Sequence, residues 1–244
     1  HLSEVSWTKA GTTDTDLALV PIGSTEQHGP HAPLATDSLT ATKVAESAAE
    51  RYNSEVIVTP TISISVSAEH RHFPGTLWIT ESTFRAYVRD VVESLSSHGW
   101  DRVILVNGHG GNTAALREIA AQLTREEIAY TVPYTWFEAI ENESFEMGHA
   151  GSIETSVLQF IHPELVDESA LEEASNNASE TWGIWVDQTN IAFDAVEFTE
   201  NGVVGDPKMA SPERGETLLD QATESLLSLL TEVEELNPER SADM

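Results

Sequence analysis

A chain of 244 residues with 40% apolar side chains is long enough to bury a sizeable core, and we expect residues 1–244 to form one α/β domain. Its 41 acidic and 12 basic residues give a net charge of −29, which argues against nucleic acid and anionic membranes as partners. There is no cysteine, so disulfides and thiolate metal sites are excluded, and no apolar run reaches the roughly 18 residues of a membrane span. In chain order, residues 16–22 (DLALVPI) read as a buried strand, 36–51 as a helix and 55–62 (EVIVTPTI) as a second strand. The clearest helix is 80–98, where Phe84, Val88, Val91, Val92 and Leu95 recur at helical spacing before Gly99. Residues 102–106 (RVILV) read as a third strand, 114–124 as a helix, 130–136 as a fourth strand and 152–162 as a further helix. Ser211 and Pro212 suit the N-cap and first position of an amphipathic helix running to residue 236, and 237–244 reads as a frayed tail. Strands alternating with helices predict a single-domain three-layer sandwich with a mostly parallel central sheet. In such sheets the loops after the strand carboxyl ends build the active site.

The lysines are Lys9, Lys43 and Lys208 only. An acid-rich, lysine-poor surface on an ordered chain predicts a halophilic source, where salt screens self-repulsion. Residues 1–11 lack the basic start and apolar stretch of a signal peptide, which predicts a cytoplasmic protein. The glycosylation patterns at Asn142 and Asn177 then read as coincidence.

The first strand runs into GSTEQHGPHAPLATD (23–37). Glu26 and His28 are two apart, so on extended backbone their side chains point to one side. Asp37 falls at the start of the next helix, where the plain reading is an N-cap. The third strand runs into NGHGGN (107–112). The plain reading there is a phosphate loop, which would make the chain a nucleotide-binding module using Gly108–Gly111. The segment has neither the G-x-G-x-x-G spacing nor a P-loop lysine, so His109 reads better as a metal ligand. A third cluster is GHAGSIETS (148–156), with His149 just before a helix and Glu154 inside it. Its plain reading is a cap made by Ser152, with Glu154 favoured by the helix dipole. Taken together, three strand-end loops carry histidine and carboxylate. Without cysteine such donors suit Zn²⁺, Mn²⁺ or Fe²⁺, and two ions sharing one bridging acid can activate a water. His31 reads as a brace for its proline-flanked loop, His70 and His72 as candidate substrate contacts, and Trp182 and Trp185 as packing residues.

These segments, with HFPGT (72–76) and GVVGDP (202–207), resemble the creatininase family of amidohydrolases, in family order across most of the chain. The resemblance implies a creatininase-like fold with a parallel sheet of four or more strands. It implies two divalent metal ions per chain, with Glu26 and Asp37 on one, His28, Asp37 and His109 on the other, and Asp37 bridging. It implies His149 as the acid/base that passes a proton to the leaving nitrogen, with Glu154 following at the family's spacing. It also implies a small-molecule amide as substrate and a ring-like homo-oligomer, a hexamer being favoured. Two positions depart from the creatinine-cleaving members. Gly111 stands where they carry a glutamate ligand, which leaves Glu154 as the candidate to complete the first metal site. No tryptophan shortly precedes His149; Phe145 is nearby and Trp136 lies further upstream. The function expected is hydrolysis of a non-peptide C–N bond, in a cyclic amide or formamide, by metal-activated water. The alternative within the family is a deformylase of a phosphorylated formylamino-pyrimidine, as in archaeal riboflavin and F420 biosynthesis, with Arg71 and Arg102 as candidate phosphate contacts. The wider family also includes a peptide-trimming member.

The acidic surface predicts a melting temperature that rises steeply between low and molar KCl. Equal stability at both salt levels would contradict the halophilic expectation.

Overall fold

The apolar run Leu17–Ile22 forms β1 and is buried along its whole length, as expected of a strand covered on both faces. In the computed structural model, which describes residues 1–140 and 147–236, the other strands are β2 (Ile57–Val58), β3 (Arg102–Asn107), β4 (Tyr130–Thr135), β5 (Trp185–Val186) and β6 (Thr189–Asn190). The helices are α1 (Trp7–Ala10), α2 (Thr36–Arg51), α3 (Glu81–Ser96), α4 (Thr113–Arg125), α5 (Ser152–Ile161), α6 (Leu171–Asn176) and α7 (Pro212–Glu235). The central sheet has the order β2-β1-β3-β4 and all its pairings are parallel. β5 and β6 form a separate antiparallel hairpin. Among the described residues no helix is long and apolar enough to cross a membrane.

Side-chain alternation along β1 divides the core. Leu17 and Leu19 face Val44, Val157, Leu226 and Leu230, so α2, α5 and α7 cover one side of the sheet. Ala18, Val20 and Ile22 face Phe84, Val88, Leu116 and Ile119, so α3 and α4 cover the other. The result is an α/β three-layer sandwich with a four-strand parallel sheet in the middle.

The second strand is shorter than the apolar run 55–62 suggests. Pro60 has no N–H to give, so the ladder stops at Val58, although the chain keeps beside β1 through Thr59 N–H to the Leu19 carbonyl and Ile62 N–H to the Pro21 carbonyl. β4 tolerates Pro133 because it is an edge strand paired only with β3. The N-cap of α2 is Ala35 rather than Asp37, which lies inside the first turn. The N-cap of α5 is Gly151 rather than Ser152. Asn142, Phe145 and the tail 237–244 lie outside the described residues.

Two glycines fix how α2 meets the sheet. A Cβ at Gly23, just after β1, would lie 2.3 Å from the backbone nitrogen of Ser38. One at Gly108, just after β3, would lie 2.3 Å from the backbone oxygen of Asp37. Only glycine allows the first turn of α2 to seat on both strand ends, and that seating delivers Asp37 to the loops that carry Glu26, His28 and His109.

Candidate metal centre

The loops after β1 and β3, the first turn of α2 and the start of α5 converge at one end of the sheet. Glu26, His28, Asp37, His109, His149 and Glu154 are all buried there. Asp37 stands between two imidazoles: its Oδ1 is 3.1 Å from Nε2 of His28 and its Oδ2 is 3.2 Å from Nδ1 of His109. Nε2 of His28 is also 3.9 Å from Oε1 of Glu154. Oε1 of Glu26 is ringed by three imidazole nitrogens, at 3.1 Å from His109, 3.5 Å from His70 and 3.8 Å from His149. Three overlapping sets bring one donor atom from each member within 4.8 Å of the others: Glu26, His28 and Asp37; His28, His149 and Glu154; Glu26, His70 and His149.

Backbone carbonyls decide which ring nitrogen faces the acids. Nδ1–H of His28 donates to the Glu26 carbonyl at 3.1 Å. Nε2–H of His109 donates to the Val66 carbonyl at 2.6 Å, with Glu69 3.6 Å away. Nε2–H of His149 donates to the Gln27 carbonyl at 2.7 Å. Each ring is thereby oriented by an outer contact and turns its second nitrogen inward, the arrangement that prepares histidine for a cation. Glu154 is fixed in the same manner, its Oε2 accepting the Ala150 N–H at 2.6 Å. Ala150 itself has φ 53°, a left-handed conformation that costs a non-glycine residue energy and turns the chain between His149 and α5.

The charge balance is unusual. Burial opposes a charge on His28, but Asp37, Glu154 and Glu26 push its pKa up to about 9. Burial likewise opposes a charge on His109, and Glu26 and Asp37 hold it well above its ordinary value. Burial pushes Glu154 up to about 7, against the pull of His28. Burial would raise Asp37 too, but His28 and His109 hold it below the usual carboxylate range. His149 is driven well below its ordinary value by burial and by His28 and His70. Protons on His28 and His109 thus offset the acids in the way a cation would, and metal binding would displace them. Despite the short contacts, both oxygens of Glu26, Oδ2 of Asp37 and Nε2 of His28 are buried without an aligned hydrogen-bond partner. Buried polar atoms are almost always paired, so unpaired donors of this type converging on common points fit a divalent cation.

Asp37 and Glu154 open onto a cavity of about 430 Å³, also lined by Glu69, His70, Phe137, Met147, Glu180 and Trp182. Of the histidines in doubt, His70 enters the site and its ring stacks on His149 with centroids 4.4 Å apart. His72 instead faces Asp194 at 3.3 Å. His31 braces α5 through Thr155 at 2.9 Å and stays outside the donor sets. Trp182 meets His70 and His149 edge-on, at 5.4 and 5.9 Å, so it belongs to the cavity wall, whereas Trp185 is exposed on the hairpin. Glu69 and Gln27 were not singled out by sequence. Gln27 had one available signal: lying between Glu26 and His28 on extended backbone, it must point the opposite way. The Gly108–Gly111 turn holds His109 over Glu26 and Asp37, an acidic setting that does not suit the phosphate-loop alternative.

The family model described as creatinine amidohydrolase matches residues 3–230. The chain is 35% identical over 208 residues to a mycofactocin precursor peptide peptidase of Mycolicibacterium smegmatis, covering 83% of this chain and 79% of the relative. It is 25% identical over 240 residues to a creatinine amidohydrolase of Pseudomonas putida, covering 88% and 89%. A crystal structure of creatinine amidohydrolase superposes with TM-score 0.80 at 25% identity, over 97% of this chain and 98% of that one. Creatininase structures at 23% identity and TM-score 0.81, each covering 96% of this chain and 98% of its own, include a Zn–Zn form and a Mn form. The chain belongs to the creatininase family.

Proposed function

We propose that this chain is a metal-dependent amidohydrolase that cleaves an amide C–N bond with water activated at two divalent cations. The observation that carries the reading is the convergence of Glu26, Asp37 and Glu154 with inward-turned imidazole nitrogens, where both oxygens of Glu26, Oδ2 of Asp37 and Nε2 of His28 are buried and unpaired. Glu26, Asp37 and His109 would hold one ion, and His28, Asp37 and Glu154 the other. This division differs from the one the resemblance implies, because His28 and His109 face opposite oxygens of Asp37. A donor set of imidazole and carboxylate suits Zn²⁺ or Mn²⁺, with Fe²⁺ also compatible. Such a pair supplies Lewis acidity and lowers the pKa of water toward about 7.

The chain's own residues do the rest. His149 keeps Nε2–H on the Gln27 carbonyl and turns Nδ1 to the cavity, so Nδ1 is where it would take a proton and return it to the leaving nitrogen. Glu154 braces the turn that carries His149 while facing His28, so one carboxylate would serve both the acid/base and the metal donors. Trp182 covers the outer edges of His70 and His149 and keeps water off them.

The cavity volume suits a small molecule, and its wall includes Glu69 and Glu180 but no lysine or arginine among the described residues. Arg102 is bound to Asp16 and to carbonyls of α7, and Arg71 to Asp194, so neither supports a phosphate site. That weighs against the phosphorylated pyrimidine and for a cyclic amide or formamide. A short peptide is the second reading, supported by the higher identity to the mycofactocin precursor peptide peptidase than to the creatinine amidohydrolase. We also place the enzyme in a high-salt cytoplasm as a homo-oligomer, hexameric by the resemblance. The exposed apolar side chains Ile184, Trp185, Val186, Ile191 and Phe193 support a subunit contact at the hairpin.

Elemental analysis should find close to two metal ions per chain, falling to near zero in Asp37→Ala; an Asp37→Ala protein with both ions and full activity would end this reading. In a panel of cyclic amides, formamides and short peptides, His149→Ala should keep its metal and lose roughly 10²–10⁴-fold in turnover on whichever class is cleaved. Unchanged turnover would remove His149 from the chemistry.

A further inference from the structure

His70 lies among the metal donors by distance, yet the hydrogen bonds behind it assign it another task. The side-chain amide of Gln27 is orientated without ambiguity. Its Oε1 accepts the Gly29 N–H at 2.9 Å, and its Nε2 donates to the Gly202 carbonyl at 3.0 Å. A backbone N–H can only donate and a carbonyl can only accept, so the amide cannot be flipped. The remaining N–H of that amide points at Nδ1 of His70, 2.8 Å away. Nδ1 must therefore accept, and the ring proton sits on Nε2, the nitrogen that faces Oε1 of Glu26 at 3.5 Å. A protonated nitrogen has no lone pair for a cation. The contrast with its neighbours is direct: His28, His109 and His149 each donate a hydrogen bond outward to a carbonyl and turn the other nitrogen inward, whereas His70 accepts one from outside and turns N–H inward.

We propose that His70 is a positioning residue and not a metal ligand, its tautomer set by Gln27 so that Nε2–H is turned toward the Glu26 carboxylate while its ring supports His149 by stacking. Gln27 thereby serves both rings, His149 through its backbone carbonyl and His70 through its side chain. The proposal rests on the dinuclear reading above. Trp182 closes the same stack from outside, edge-on to His70 at 5.4 Å.

The test uses the full chain loaded with Co²⁺ and two substitutions, His70→Phe, which keeps a flat ring without a donor, and His70→Gln, which restores an N–H. The expected result for His70→Phe is two cobalt ions per chain with an unchanged visible spectrum, and a cobalt Kd raised roughly 10–100-fold, the effect of losing an outer-sphere partner. His70→Gln should recover most of that affinity. Loss of one cobalt, a spectrum that reports a lost nitrogen ligand, or an unchanged Kd in His70→Phe would each overturn the proposal. Nitrogen NMR of histidine-labelled, zinc-loaded wild-type protein needs no substitution and should show His70 protonated at Nε2 and accepting at Nδ1; the reverse tautomer would overturn it. Wild-type protein that takes up no cobalt would instead defeat the dinuclear reading, and the His70 tautomer would still decide the present claim.

Discussion

Three carboxylates held together away from water are the constraint around which this molecule is arranged. Oxygens of Glu26 and Asp37 come within 4.8 Å of each other, and Glu154 stands across His28 from Asp37. Two like charges about 5 Å apart at an effective dielectric near 20 repel by roughly 3 kcal/mol, and burial removes the water that would soften this. The cavity wall contributes no lysine or arginine among the described residues, only imidazoles. Imidazoles can carry the compensating protons, but a divalent cation does so with more charge and better matches the unpaired oxygens. Folding and metal uptake are then linked: whatever binds the native site and not the unfolded chain stabilises the fold.

The fold meets this constraint with backbone more than with side chains. β1 and β3 are neighbours, so their following loops emerge side by side. Gly23 and Gly108 let α2 descend onto both, which brings Asp37 between His28 and His109. The carbonyls of Glu26, Gln27 and Val66 then orient three rings. One short segment, 26–28, supplies two donors and the outer contacts for two more residues. A site built this way is stiff, because each ring is anchored from behind by a hydrogen bond to a backbone carbonyl.

Much of this could be read from the sequence. The helix predicted at 36–51 matches α2, and the third and fourth strands differ from β3 and β4 by a single residue at one end. Those runs have strong periodicity and clear stops. β2 is shorter than its sequence suggests because Pro60 interrupts an otherwise persuasive apolar run. Glu26, His28, Asp37, His109, His149 and Glu154 could be nominated because strand-end loops in a parallel sheet must meet. Their division between two ions could not, since it depends on which oxygen of Asp37 each ring faces. Nor could His70 be told from His72. The two are separated by one residue, and only tertiary packing sends His70 to Glu26 and His72 to Asp194. Trp182 reads as packing from sequence, because nothing local ties it to site residues that lie well upstream.

Anomalous diffraction from crystals grown with Mn²⁺ or Zn²⁺ tests the central claim most directly. The account predicts two peaks, one among Glu26, Asp37 and His109 and one among His28, Asp37 and Glu154, with Asp37 contacting both. Maps from metal-saturated crystals with no peak at these residues, or with a single peak that leaves Asp37 unligated, would contradict it.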